Sequence, residues 1–286
     1  MMRRLSLSAL VFAFVACGGG GDAGGVDLSR PVNVDLDSPP PERLSTWNLF
    51  SWSTDEGFAF NERVVPYDMN TPLFSDYALK QRAIYLPEGA AAVFDPVEAF
   101  DFPIGTVLIK NFYFPDDFRA PEENLELIET RLLVRHTDGW RTWPYVWDAE
   151  QRDARLAVAG EVRTIAFIDA EGAAREASYL VPQRNQCQSC HARTDDNGST
   201  VIVPIGPKAR HLNRTYDYGG DAGLENQLTH LAALGMLEGL PPLAGIEAAY
   251  DFSPIEANGP SAVAPEDLDR ATRDYLDVNC AHCHNA

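Results

Sequence analysis

The chain has no cysteine to spare. Five occur in 286 residues, and each falls in a short pattern, which leaves none for a disulfide or a free nucleophile. Lysine is scarce, with three against twenty arginines. Basic charge is short overall, and the formal net charge of −19 argues against nucleic acid and anionic lipid surfaces as partners. The one marked apolar run, Leu5 to Ala16, is too short to span a bilayer as a helix. No Ser-His-Asp order, phosphate loop or paired-carboxylate pattern stands out. Asp68, Asn70 and Asp76 lack the spacing of a twelve-residue calcium loop, and turn capping is the expected role of these side chains.

Four of the five cysteines sit in two copies of C-x-x-C-H, namely Cys187-Gln188-Ser189-Cys190-His191 and Cys280-Ala281-His282-Cys283-His284. This is the attachment pattern for c-type haem. Two thiols on one helical turn add across the two haem vinyl groups, and the following histidine offers a nitrogen to one face of the iron. The expected cofactor is therefore haem c at two sites, with Cys187, Cys190, Cys280 and Cys283 as attachment residues and His191 and His284 as iron ligands. Zinc is the first alternative, although ligand pairs within one zinc module are closer than residues 190 and 280. A redox dithiol is the second, although neither pair opens the long helix of a βαβ unit.

The N-terminus supports export independently. Met1-Met2-Arg3-Arg4 is a basic start to the apolar run, which ends in Phe14-Val15-Ala16-Cys17. That ending resembles a bacterial lipoprotein processing box, so Cys17 is the expected lipidation site and residues 1–17 the signal peptide. An ordinary secretory signal with an incidental cysteine is the alternative. The expected location is the periplasm or the outer-membrane face, with contact to the membrane by lipid anchor only.

About 270 residues remain after such a leader, enough for two domains. Residues 18–43, rich in glycine and proline, are expected to be a flexible linker. Residues 44–182 read as a β-rich domain. Ile128, Thr130, Leu132 and Val134 alternate with Glu129, Arg131 and Arg135, the period of a half-buried strand. Asp138-Gly139 then turns the chain into Trp140 to Trp147, which predicts a hairpin. A second hairpin is expected over Val162 to Ile168 and Ala173 to Val181, and a further strand over Phe102 to Phe114. Beyond His191 the period changes. Leu224, Leu228, Leu231 and Leu234 predict a helix, and another begins near Pro265, with Leu268, Ala271, Tyr275 and Val278 on one face. Residues 183–260 are the expected first haem-binding segment. Residues 261–286 read as the start of a second cytochrome c domain, incomplete because only Asn285 and Ala286 follow His284. The fold class is α+β: a β-rich N-terminal domain, a helical c-type haem segment, and the first helix of a class I cytochrome c domain.

Several stretches extend the match beyond the two motifs. Pro66 to Asp76 (PYDMNTPLFSD), Leu132 to Trp147, Pro204 to Arg214 (PIGPKARHLNR) and Tyr275 to Cys280 (YLDVNC) resemble a family of bacterial diheme c-type cytochromes with a β-rich N-terminal region. The resemblance runs from about Leu44 onward and implies haem and electron transfer without naming a substrate.

The second axial ligand decides whether a haem carries electrons or does chemistry. For the first haem the candidates are Met236 and His211. Met236 flanks the leucine stripe, where an ordinary core methionine is the alternative. His211 lies in the basic cluster of Lys208, Arg210 and Arg214, which suits propionate pairing or a solvated loop. His230 is expected to face solvent and His136 to be structural. The sequence thus predicts an exported diheme cytochrome passing single electrons in the cell envelope to a basic redox partner protein. A haem enzyme, a peroxidase or small-molecule oxidase with an open first haem, is the alternative.

Overall fold

The computed structural model describes residues 25–195, 197–259, 261 and 263–284; Cys17, its leader and the Cys283 side chain lie outside the described residues. The chain is β-rich with a few short helices, an α+β protein. It opens with a hairpin of β1 (Phe50–Ser53) and β2 (Gly57–Phe60). Then come β3 (Val64–Tyr67), β4 (Leu79–Tyr85), the short β5 (Ala92–Val93), β6 (Val107–Pro115), β7 (Leu125–His136), β8 (Gly139–Trp147) and β9 (Ala154–Leu156). Six of these form one antiparallel sheet in the order β3-β4-β6-β7-β8-β9. The expected hairpin at Asp138-Gly139 joins β7 to β8, with Gly139 at φ 131° completing the turn. The second expected hairpin is β10 (Glu161–Ile168) with β11 (Ala174–Val181), in the register Val162↔Leu180 and Ile168↔Ala174.

Both faces of the sheet are covered, because successive side chains point to opposite sides. Val64, Ala83, Ile109, Leu132 and Tyr145 pack with Trp47 and Phe50 under the N-terminal hairpin. Val65, Ile84, Leu108 and Leu133 pack on the other face against Leu212, Leu228, Leu231, Met236 and Val278 from the helical half. The polar positions of β7 therefore do not meet bulk water as a half-buried strand would require. Glu129 is fully buried and Arg131 is partly covered.

Residues 30–43 behave differently from a linker. Val32, Val34 and Leu36 pack against the core under the hairpin. The Tyr145 hydroxyl donates to the Pro41 carbonyl at 2.9 Å, and the Asn48 amide donates to the carbonyls of Asp27, Arg30 and Pro31. Alternating valine and leucine in this segment supplies apolar contact that proline and glycine content alone does not reveal.

The helices after the sheet are α1 (Gln188–His191), α2 (Ala209–Leu212), α3 (Gln227–Ala233), α4 (Ser253–Asn258), α5 (Leu268–Asn279) and α6 (Ala281–His284). The helix expected from Leu224 starts later. Leu224 lies exposed in a short strand, and the Asn226 side chain accepts from the Leu228 amide at 3.0 Å, capping α3. Along α5 the buried positions are Ala271, Asp274 and Val278, while Leu268 and Tyr275 are exposed. No helix among the described residues is long and apolar enough to cross a membrane.

Candidate functional site

The first C-x-x-C-H motif follows directly from β11. Pro182 ends the strand run, and Arg184–Cys187 makes a tight helical turn that continues into α1. The Gln183 amide donates to Gln186 Oε1 at 2.8 Å, closing the start of the turn. Arg184 fastens it to the sheet: its Nε donates to the Thr142 carbonyl at 3.1 Å and its guanidinium lies 4.0 Å from the centre of the Trp143 ring. Residues three apart on such a turn share one side. Cys187, Cys190 and His191 accordingly line one cavity of about 240 Å³.

The His191 ring is oriented by the chain that follows it. After β12 (Ala192–Thr194) and β13 (Thr200–Ile202), the Val203 carbonyl accepts from His191 Nδ1 at 2.7 Å. A proton fixed on Nδ1 leaves Nε2 with its lone pair. Burial drives the imidazole pKa down to about 4, so the ring is neutral at ordinary pH. Two thiol residues beside a neutral, oriented imidazole form a donor set able to bond a porphyrin covalently and ligate its iron from one side.

The opposite contributions to the cavity come from segments whose roles the residue patterns do not disclose. Tyr67 at the end of β3 and Met69 and Leu73 in the loop after it line the cavity, and Pro204 to Pro207 line it from the loop after β13. Burial raises the Tyr67 pKa to about 12, so its hydroxyl keeps its proton. Met69 is 5% exposed, and a Cβ placed on Gly206 would lie 3.0 Å from its Sδ. The floor is the sheet itself, with Arg82, Leu108, Lys110, Arg131 and Leu133 among the lining residues.

The expected sixth-ligand candidates lie elsewhere. His211 is fully buried on α2, but its Nε2 faces Asp277 Oδ2 at 3.3 Å and it does not line the cavity. Met236 is buried in the apolar cluster beyond the cavity wall, held where its carbonyl accepts from Ala92. His230 is not a solvent residue: it stacks on Tyr218 with centroids 3.6 Å apart, and its Nδ1 lies 2.6 Å from Glu225. The basic cluster has a different task from the one expected. Arg210 pairs with the buried Asp274 and lies 3.5 Å from Asp277, and Lys208 lies 3.7 Å from Asp277, so these two bind α5 to the body of the protein, while Arg214 pairs with Asp68 at 3.3 Å.

That attachment brings the second motif to the first. Val278 of α5 lines the same cavity, and Asn279 accepts from the Phe74 amide at 2.8 Å while its own amide donates to the Pro72 carbonyl at 3.3 Å. The turns carrying the two motifs, α1 and α6, pack against each other. His284 is exposed and the Nδ1 of His282 is buried without a partner. Among the described residues no cluster of three or more His, Cys, Asp or Glu side chains is arranged to hold a metal ion by itself. No protein-family model, curated protein or solved structure matches this chain.

Proposed function

We propose that the chain is an exported diheme c-type cytochrome that passes single electrons in the bacterial cell envelope. The observation that carries this reading is the His191 ring, oriented by the Val203 carbonyl at 2.7 Å beside Cys187 and Cys190 on one cavity. Haem c, when bound, supplies a one-electron iron couple. The protein's part is to bond, orient and shield it. Cys187 and Cys190 would hold it by thioether links, each thiol adding across one vinyl group with its proton going to the adjacent vinyl carbon. His191 would ligate the iron through Nε2, and the Val203 contact keeps the proton on Nδ1. Met69 is the thioether donor on the cavity wall, and a methionine ligand suits electron transfer.

The second motif, Cys280, Cys283 and His284, takes the second haem in this reading. Packing of α1 against α6 supports electron exchange between the two. The reading further places a lipid anchor at Cys17, a location at the periplasmic or outer-membrane face, and a basic redox protein as partner to this acidic chain. The test is to produce the protein with a c-type maturation system and record its pyridine haemochrome and a redox titration. Covalent haem with a reversible one-electron response is expected. Rapid turnover of peroxide with a high-spin first haem would instead favour the enzyme alternative.

A further inference from the structure

The cavity floor carries a charge arrangement that runs against the rest of the molecule. Arg82 on β4, Lys110 on β6 and Arg131 on β7 are direct cross-strand partners, in the register Arg82↔Lys110 and Lys110↔Arg131. All three line the cavity. Like charges placed side by side on neighbouring strands repel, and this protein has 42 acidic against 23 basic residues from which to neutralise them.

The neutralisation is incomplete. Asp68 pairs with Arg82 at 3.0 Å but is shared with Arg214 at 3.3 Å. Glu129 pairs with Arg131 and also accepts from the Tyr179 hydroxyl at 2.7 Å. Lys110, between them, has no ion pair among the described residues; its Nζ lies 4.9 Å from the centre of the Phe112 ring. Arg82, only 4% exposed, leaves Nη2 without a partner, and Nε of Arg131 is likewise buried and unpartnered. Burial, with the neighbouring arginines, pushes the Lys110 pKa well below its ordinary value. A cation drawn away from water without a counter-charge is destabilising, and unpaired guanidinium donors add to that.

We propose that Arg82, Lys110 and Arg131 form a carboxylate-binding row that takes the propionates of the haem attached at Cys187 and Cys190. This rests on the haem reading of the same cavity. Arginine offers paired donors that match a carboxylate, and lysine adds a point charge between them. The row would hold the propionate edge against the sheet while the cysteines hold the vinyl edge, which fixes the haem plane at both ends.

The experiment uses the full chain matured with haem, comparing the parent with Lys110→Met and Lys110→Arg. Lys110 is chosen because it breaks no ion pair within the protein. Three readouts are taken: covalent haem by pyridine haemochrome, the haem propionate bending band by resonance Raman, and the thermal midpoint. The expected result is unchanged haem content with a shifted propionate band and a lowered midpoint in Lys110→Met, both restored in Lys110→Arg. Haem present with an unmoved band, or a midpoint that rises, overturns the row alone. A midpoint raised by added acetate or chloride in the parent would assign the cations to an exchangeable anion and also overturn it. No covalent haem in the parent overturns the underlying reading.

Discussion

His191 gives its Nδ1 proton to the Val203 carbonyl at 2.7 Å, across a short hairpin that separates the two residues. The hairpin β12–β13 turns the chain back so that a carbonyl meets the ring whose other nitrogen is left for the cavity. His191→Gly should keep the thioether links but lose this ligand. Added imidazole is expected to restore a low-spin spectrum in that variant. A low-spin spectrum before any imidazole is added would show that His191 is not the ligand.

Met69 separates the carrier reading from the open-haem one. Met69→Leu conserves volume and should cost less than about 1.5 kcal/mol, yet it removes the sulfur donor. The variant should bind cyanide readily, and its first-haem potential should fall by a fraction of the ~0.8 V range that axial ligands span. An unchanged spectrum and potential would return Met69 to the role of core packing.

Gly206 is predicted to matter through the same sulfur. Its backbone has no positive φ, so the constraint lies in the 3.0 Å approach of Met69 Sδ to any added Cβ. Gly206→Ala should leave the fold intact by far-UV circular dichroism and shift the haem spectrum. Gly160 differs, since it has φ +70° and a Cβ there would meet the Val181 oxygen at 2.6 Å and the Gln183 nitrogen at 2.7 Å. Backbone cannot yield as a thioether can. Gly160→Ala should lower stability by on the order of 1–3 kcal/mol or more, measured by denaturant unfolding.

The α5 latch gives a pH dependence with a definite sign. The hydrogen bond from His211, then the charges of Lys208 and Arg210, hold the Asp277 pKa below its ordinary 3.8 despite burial. A carboxylate with a depressed folded pKa contributes stability that is present above its unfolded pKa and lost as pH falls through the folded one. Protection of the α5 amides from hydrogen exchange, taken relative to the intrinsic rate at each pH, should therefore be high near neutrality and fall below pH 3.8. Arg210→Met should loosen α5 at neutral pH, because Asp274, 1% exposed, would lose its close cation.

The β7–β8 and β10–β11 hairpins were legible because β7 alternates and the turns carry Asp138-Gly139 and Gly172; their registers were not. That Cys187, Cys190 and His191 share one cavity followed from C-x-x-C-H, which is local in sequence. The rest of the cavity was not legible. Glu129 and Arg131 read as solvent-facing because alternation marks which side a residue points to, not what covers that side. His211 and Met236 lie near the motif in sequence, whereas Met69 reaches the cavity from the loop between β3 and β4. The only hints were the scarcity of lysine, which makes Lys110 within an apolar strand unusual, and the PYDMNTPLFSD and PIGPKARHLNR stretches. These two prove to be the cavity's loop walls and the anchor of α5.

The proposed haem, bonded at Cys187 and Cys190 and ligated by the oriented His191, is tested most directly by the pyridine haemochrome of the matured chain. The account predicts a c-type haemochrome that survives acid-acetone extraction and is lost from the first site in the Cys187→Ala, Cys190→Ala double variant. Extractable haem, or zinc without iron in the purified protein, would contradict it.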